Sequence, residues 1–196
     1  VQFLVPGVYS FTLISPVTGN PEQFLLGIPD IPPTQEAPLL VGFHAFGHSH
    51  NDLLQNTDFF TEAESRGWYM LAPLGLHELD FNPATDTWKN NFGSPNSQEN
   101  TRTAINWVLD NFAVQRDRIY GVGFSMGAGG MTSYAARHLD PSEGMFAAMV
   151  NHTGGVSLRD TYVESPLTRP ILEYIYGDTP SNAQFAYRQC STIEIV

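Results

Sequence analysis

The sequence contains one cysteine, Cys190, so no disulfide can close within the chain and a disulfide scaffold is excluded, although the compartment stays open. Basic residues are also scarce: 9 Lys+Arg stand against 20 Asp+Glu, a formal charge of −11, and no stretch concentrates them. Nucleic acid and anionic membrane surfaces are therefore poor candidate partners. No apolar run approaches the roughly 18 residues of a membrane span, and Val1–Val5 is too short and lacks the basic flank of a signal peptide. Position 1 is not Met, which suggests a processed or truncated chain. Charged residues reach only 15%, against roughly 25% in an average globular protein. What is abundant is apolar material, 42% hydrophobic and 12% aromatic, and this excludes the disordered class. A chain of 196 residues is expected to form a single domain, residues 1–196, around one core.

The hydrophobic pattern changes period along the chain. Gly7–Ile14 and Glu22–Ile28 read as an antiparallel hairpin across a Pro/Gly/Asn turn, and Leu39–Phe43 as a strand buried on both faces. A helix capped by Asn51 or Asp52 runs to about Arg66, and Trp68–Ala72 is the next strand. Residues 74–95 show no period, and a connection this long is usually functional. Asn96 and Glu99 are spaced as a helix-capping pair, with Ile105, Val108, Leu109 and Phe112 at helical spacing behind them. Arg118–Phe124 (strand), Ser125 to about Leu139 (small-residue helix) and Phe146–Asn151 (another buried strand) follow. Strands alternating with helices imply right-handed crossovers and a mostly parallel sheet.

Gly123-Phe124-Ser125-Met126-Gly127 is a G-x-S-x-G between an expected strand and an expected helix. A turn that sharp strains the serine backbone, and glycines two residues to either side remove the Cβ atoms that would clash. Ser125 then projects above the carboxyl edge of the sheet, and the amide of Met126 points into the same space, where it can donate to a developing oxyanion. The motif alone arises often by chance; its strand–turn–helix context, and Gly121, Ala128, Gly129 and Gly130 around it, favour a nucleophile.

A second motif, His44-Ala45-Phe46-Gly47, ends the Leu39–Phe43 strand. With it the sequence resembles the α/β-hydrolase serine esterases, most closely the polyhydroxybutyrate-depolymerase and feruloyl-esterase-like branch. The resemblance extends through residues 88–95 (WKNNFGSP), 104–108 (AINWV) and 117–120 (DRIY), and covers about Val8 to Gly155. It implies an α/β-hydrolase fold, with a mostly parallel sheet, helices on both faces and an N-terminal antiparallel hairpin. It also implies cleavage of a small or polymeric carboxylic ester through an acyl-enzyme on Ser125, no cofactor, and secretion, with a cytoplasmic chain as the alternative. By carry-over, the Phe46 N–H is the second oxyanion donor, and His44, Trp88 and Phe92 are substrate contacts; aromatics packing down a long loop explain Trp88 and Phe92 equally well. Ala45 stands where the family usually has glycine, which would strain the loop if a positive φ were needed there.

A serine needs a histidine base and an acid to orient it, in this fold in the order Ser, Asp or Glu, His. Of six histidines only His138 and His152 follow Ser125. His138 falls about 20 Å away along the helix that Ser125 begins. His152 ends a strand on the correct sheet edge but comes early for the family base, which favours a structural or pocket-lining role. Asp178 is the candidate acid if Ile171–Tyr176 is a strand; if it is a helix, with Pro170 in its first turn and Gly177 as its stop, residues 158–186 form a cap insertion and Asp178 is a solvated helix end. Ser191–Val196 alternates like a strand, so C-terminal βα units are expected to be missing, and a catalytically incomplete binding protein is the alternative function. His48, His50 and Asp52 match the start of a zinc-hydrolase pattern, but Leu53 stands where its next histidine belongs, so no metal is expected.

Overall fold

The computed structural model describes residues 5–32, 34–76 and 90–195. Its elements in chain order are β1 (Gly7–Ile14), β2 (Pro21–Ile28), β3 (Ala37–Phe43), α1 (His50–Gln55), α2 (Phe59–Ser65), β4 (Tyr69–Pro73), α3 (Pro95–Asn111), β5 (Val114–Phe124), α4 (Met126–Arg137), β6 (Ala148–His152), α5 (Leu158–Glu164), α6 (Arg169–Tyr176), α7 (Gln184–Arg188) and α8 (Thr192–Ile195). They build one sheet in the order β1-β2-β4-β3-β5-β6. The β1–β2 hairpin is antiparallel and lies antiparallel on β4, while β4, β3, β5 and β6 run parallel. The mostly parallel sheet is what the alternation of strands and helices implies, and with its antiparallel hairpin it is the α/β-hydrolase architecture that the resemblance implies.

Side-chain alternation sorts the sheet's two faces. Phe24, Leu26, Val41 and Leu71 pack against Ile105, Val108 and Leu109 of α3 and Tyr134 of α4. Leu25, Met70 and Ala72 point the other way, against Leu53, Phe60 and Ala63 of α1 and α2. A third cluster sits beyond the carboxyl edge, where Phe92 and Met126 meet Leu158, Leu172, Tyr176 and Tyr187 of α5, α6 and α7.

Several boundaries differ from expectation for local reasons. The helix expected from Asn51 to Arg66 is two. Asp52 is the third residue of α1, accepting the Ser49 N–H at 2.7 Å, so Ser49 is the cap; the helix then breaks where Asn56 Nδ2 bonds back to Asp52 and the Thr57 hydroxyl to the Leu53 carbonyl. Helix α3 is capped by Ser94, whose Oγ accepts the Ser97 N–H, with Pro95 in its first turn. Residues 171–176 are helical: Pro170 starts α6 and Gly177, at φ 89°, ends it. The strand expected at Ser191–Val196 is instead the short helix α8, held by Thr192 Oγ1 to Thr132 Oγ1 at 3.0 Å, an Arg188–Glu194 ion pair at 2.7 Å and the Ile193 N–H to the Val156 carbonyl. Strand β6, expected to be buried, is the edge strand of the sheet among the described residues and is exposed at all five positions, Val150 at 62%.

Candidate active site

Ser125 sits between β5 and α4 at φ 49°, ψ −117°, a backbone conformation that β-carbon sterics disfavour. The strain is held in place by contacts that leave no slack. A Cβ on Gly123 would fall 2.8 Å from the Ala128 backbone, and one on Gly127 would fall 2.3 Å from the His44 carbonyl and 2.6 Å from that of Phe43. The glycines of the motif thus let the first turn of α4 lie directly on the end of β3. The Ser125 N–H donates to the His152 carbonyl at 3.0 Å, tying the turn to β6 as well.

The same close approach brings the two expected oxyanion donors together. Met126 opens α4, where first-turn N–H groups have no partner inside the helix. Phe46 lies on the loop after β3, and Phe46, Ser125 and Met126 line one cavity of about 360 Å³. That loop is held from three sides: the Gly47 N–H donates to Asn90 Oδ1 at 2.7 Å, the His48 N–H to the Ala45 carbonyl at 3.1 Å, and the His44 ring lies between the Ala45 and Leu74 carbonyls at 3.0 Å each. The positive φ of the loop falls on Gly47, at 76°, and Ala45 is unstrained.

Among the described residues the non-glycine residues with positive φ are Phe92 (43°), Ser125 (49°) and Thr153 (61°), and all three line this cavity. The Phe92 ring is tilted against that of Phe46 at 5.6 Å, and the Phe92 carbonyl accepts the Tyr176 hydroxyl at 2.9 Å. Leu158 and Thr161 of α5 and Leu167 and Thr168 after it form the facing wall, with Glu164 on the rim. Cys190 also lines the cavity, but burial pushes its thiol up to about 11, so it is no rival nucleophile near neutral pH.

The remaining expected residues are placed elsewhere. His44 is buried and lines a separate small cavity, not the Ser125 cavity, with its ring between two backbone carbonyls; burial lowers its pKa. Trp88 lies outside the described residues. His138 caps the far end of α4, stacked on Tyr134 at 4.1 Å. His152 turns its ring edge-on to Phe124 at 5.2 Å and contributes to the motif through its carbonyl. Asp178 follows α6, exposed, with its carboxylate accepting the Thr179 N–H at 2.6 Å and Asn182 Nδ2 at 3.2 Å; it does not line the cavity. His48 pairs with Asp52 at 3.1 Å, whereas His50 is buried and held down to about 4 by burial; no three His, Cys, Asp or Glu side chains converge on a metal position among the described residues. Asn90, the brace on Gly47, carries no sequence signal beyond its place in the 88–95 stretch.

A scan against protein-family models finds no match, and a search of curated proteins finds none either. Solved structures match across nearly the whole chain. FphF, a fluorophosphonate-binding serine hydrolase of Staphylococcus aureus, superposes with a TM-score of 0.73 at 14% identity, covering 97% of this chain and 72% of that one. The S-formylglutathione hydrolase of Agrobacterium tumefaciens gives 0.74 at 16%, covering 96% and 69%. The acylaminoacyl peptidase of Pyrococcus horikoshii gives 0.70 at 17% and covers 98% of this chain but 30% of its own. The chain spans 26% of the first matched structure, a dipeptidyl aminopeptidase IV-like chain of Bacteroides ovatus, and about 70% of FphF and the S-formylglutathione hydrolase. At these identities the likeness establishes the α/β-hydrolase fold.

Proposed function

We propose that the protein is a serine hydrolase of carboxylic esters. Ser125 Oγ attacks the ester carbonyl, the tetrahedral oxyanion is held by the Met126 and Phe46 N–H groups, and collapse breaks the bond to the alkoxy oxygen, which leaves protonated as the alcohol. Water then hydrolyses the acyl-enzyme. The observation that carries this reading is the Ser125 backbone at φ 49°, ψ −117°, exposed at the tip of a turn that both flanking glycines are required to close. The cavity's apolar walls, Phe46, Phe92, Met126 and Leu158, suit an acyl group, and the sequence motifs favour the polyhydroxybutyrate-depolymerase and feruloyl-esterase-like branch.

One observation favours a second reading, a binding protein without turnover: none of the described histidines lines the cavity. Labelling with a fluorophosphonate separates the two. An esterase labels at Ser125 and loses the label in Ser125→Ala, with hydrolysis of p-nitrophenyl acetate falling by roughly a thousandfold or more. A protein that binds esters without labelling is the second reading.

A further inference from the structure

Glu22 is the second residue of β2 and is 2% exposed, yet no cation pairs with it among the described residues. Its two carboxylate oxygens accept consecutive backbone donors just beyond β4, the Gly75 N–H at 2.5 Å and the Leu76 N–H at 3.0 Å. Gly75 has a φ of 67°, and the turn it makes aims both N–H groups at one point, a backbone nest for an anion. The next residue back, Leu74, offers its carbonyl to His44 Nε2 at 3.0 Å, and His44 Nδ1 lies 3.0 Å from the Ala45 carbonyl. A neutral imidazole has a single N–H, so the ring can donate to only one of these carbonyls at a time, and the position of Leu74 bears on which. Ala45 precedes Phe46.

We propose that Glu22 is a positioning residue for the oxyanion loop: its carboxylate fixes residues 74–76, and through the Leu74 carbonyl and His44 it sets the loop that presents the Phe46 N–H. This rests on the esterase reading. The placement is independent of the Asn90 brace, which holds the other end of the loop through Gly47. A buried carboxylate with no counter-ion among the described residues is expensive to keep, and what Glu22 gains in return is the two N–H bonds that fix this turn.

The test compares wild type with Glu22→Gln at pH 8. Glutamine keeps the shape but turns an NH2 toward one of the two N–H groups. With p-nitrophenyl acetate, kcat and the fluorophosphonate labelling rate are expected to fall roughly ten- to a hundredfold while KM stays within about twofold. Glu22→Asp, which keeps the charge on a shorter arm, should recover part of the rate. A rise in KM at unchanged kcat would mean that Glu22 anchors the mouth of the site, and unchanged kinetics would mean that it only fills the turn; either overturns the proposal, as does loss of the fold in both variants. A wild type that neither hydrolyses nor labels defeats the esterase reading itself, whatever the variants do.

Discussion

The two sides of the Ser125 cavity are built differently. On the side of β3, β4 and the start of α4 the backbone is braced at several points: Gly127 rests on the His44 carbonyl, Asn90 holds Gly47, and Glu22 holds Gly75 and Leu76. On the β6 side the strand is exposed at all five positions, Asp178 is turned to its own loop, and His152 contributes a carbonyl and a ring set edge-on to Phe124. The closed side carries the strained turn at Ser125 and the Met126 and Phe46 backbone, to which the proposed function gives the nucleophile and the oxyanion donors. The open side is where a proton relay would stand. On the proposed reading, stabilising developing charge and moving a proton fall to different sides of the cavity, so each should be open to disturbance without the other.

The largest effect is expected on the closed side. Gly127→Ala puts a methyl 2.3 Å from the His44 carbonyl and 2.6 Å from that of Phe43, both backbone atoms that cannot swing away. Helix α4 must lift off β3, separating Met126 from Phe46. Destabilisation of about 3 kcal/mol or more by chemical denaturation is expected, with fluorophosphonate labelling of the folded fraction down by about a hundredfold. Near-wild-type stability and labelling would show that the contact between the two donor segments is looser than the geometry states.

A second measurement gauges how closed that side is. Burial raises Glu22 from 4.5 to about 7, against the two N–H bonds that pull it down. The folded state therefore holds the proton more tightly than the unfolded chain. Its stabilising effect is complete below pH 4.5 and is lost as pH rises through about 7, a span worth roughly 3 kcal/mol. Wild-type stability, measured relative to Glu22→Gln so that other groups cancel, should fall over that window. A flat difference would mean that water reaches the carboxylate.

The closed side was also the more legible in the sequence. G-x-S-x-G between strand and helix is a local demand of one turn, apolar and β-branched runs bounded by turn residues located the six described strands, helical spacing located α3 and the small residues after Ser125 located α4, with ends displaced by caps such as Ser94 and Ser49. Glu22 and Asn90 were not legible, because each acts on backbone 53 and 43 residues away and an isolated Glu or Asn has no pattern. Ser191–Val196 misled because six alternating residues cannot reveal whether a neighbouring strand is present to pair with; here α4 offers Thr132 and a helix forms. Residues 171–176 were ambiguous until Gly177, at φ 89°, decided for a helix.

The smallest effect is expected on the open side, and it is the sharpest test of the contrast. If Asp178 only caps the turn after α6, then Asp178→Asn keeps an oxygen for the Thr179 N–H, and both stability and labelling rate should stay close to wild type, within about 0.5 kcal/mol and twofold. His152→Ala removes a ring from Phe124 but leaves the carbonyl that holds the Ser125 N–H, so a loss of about 1 kcal/mol in stability with little change in labelling is expected. A fall of a hundredfold in labelling for either variant would make that side chain part of the proton relay, and the two sides of the cavity would then act as a single unit.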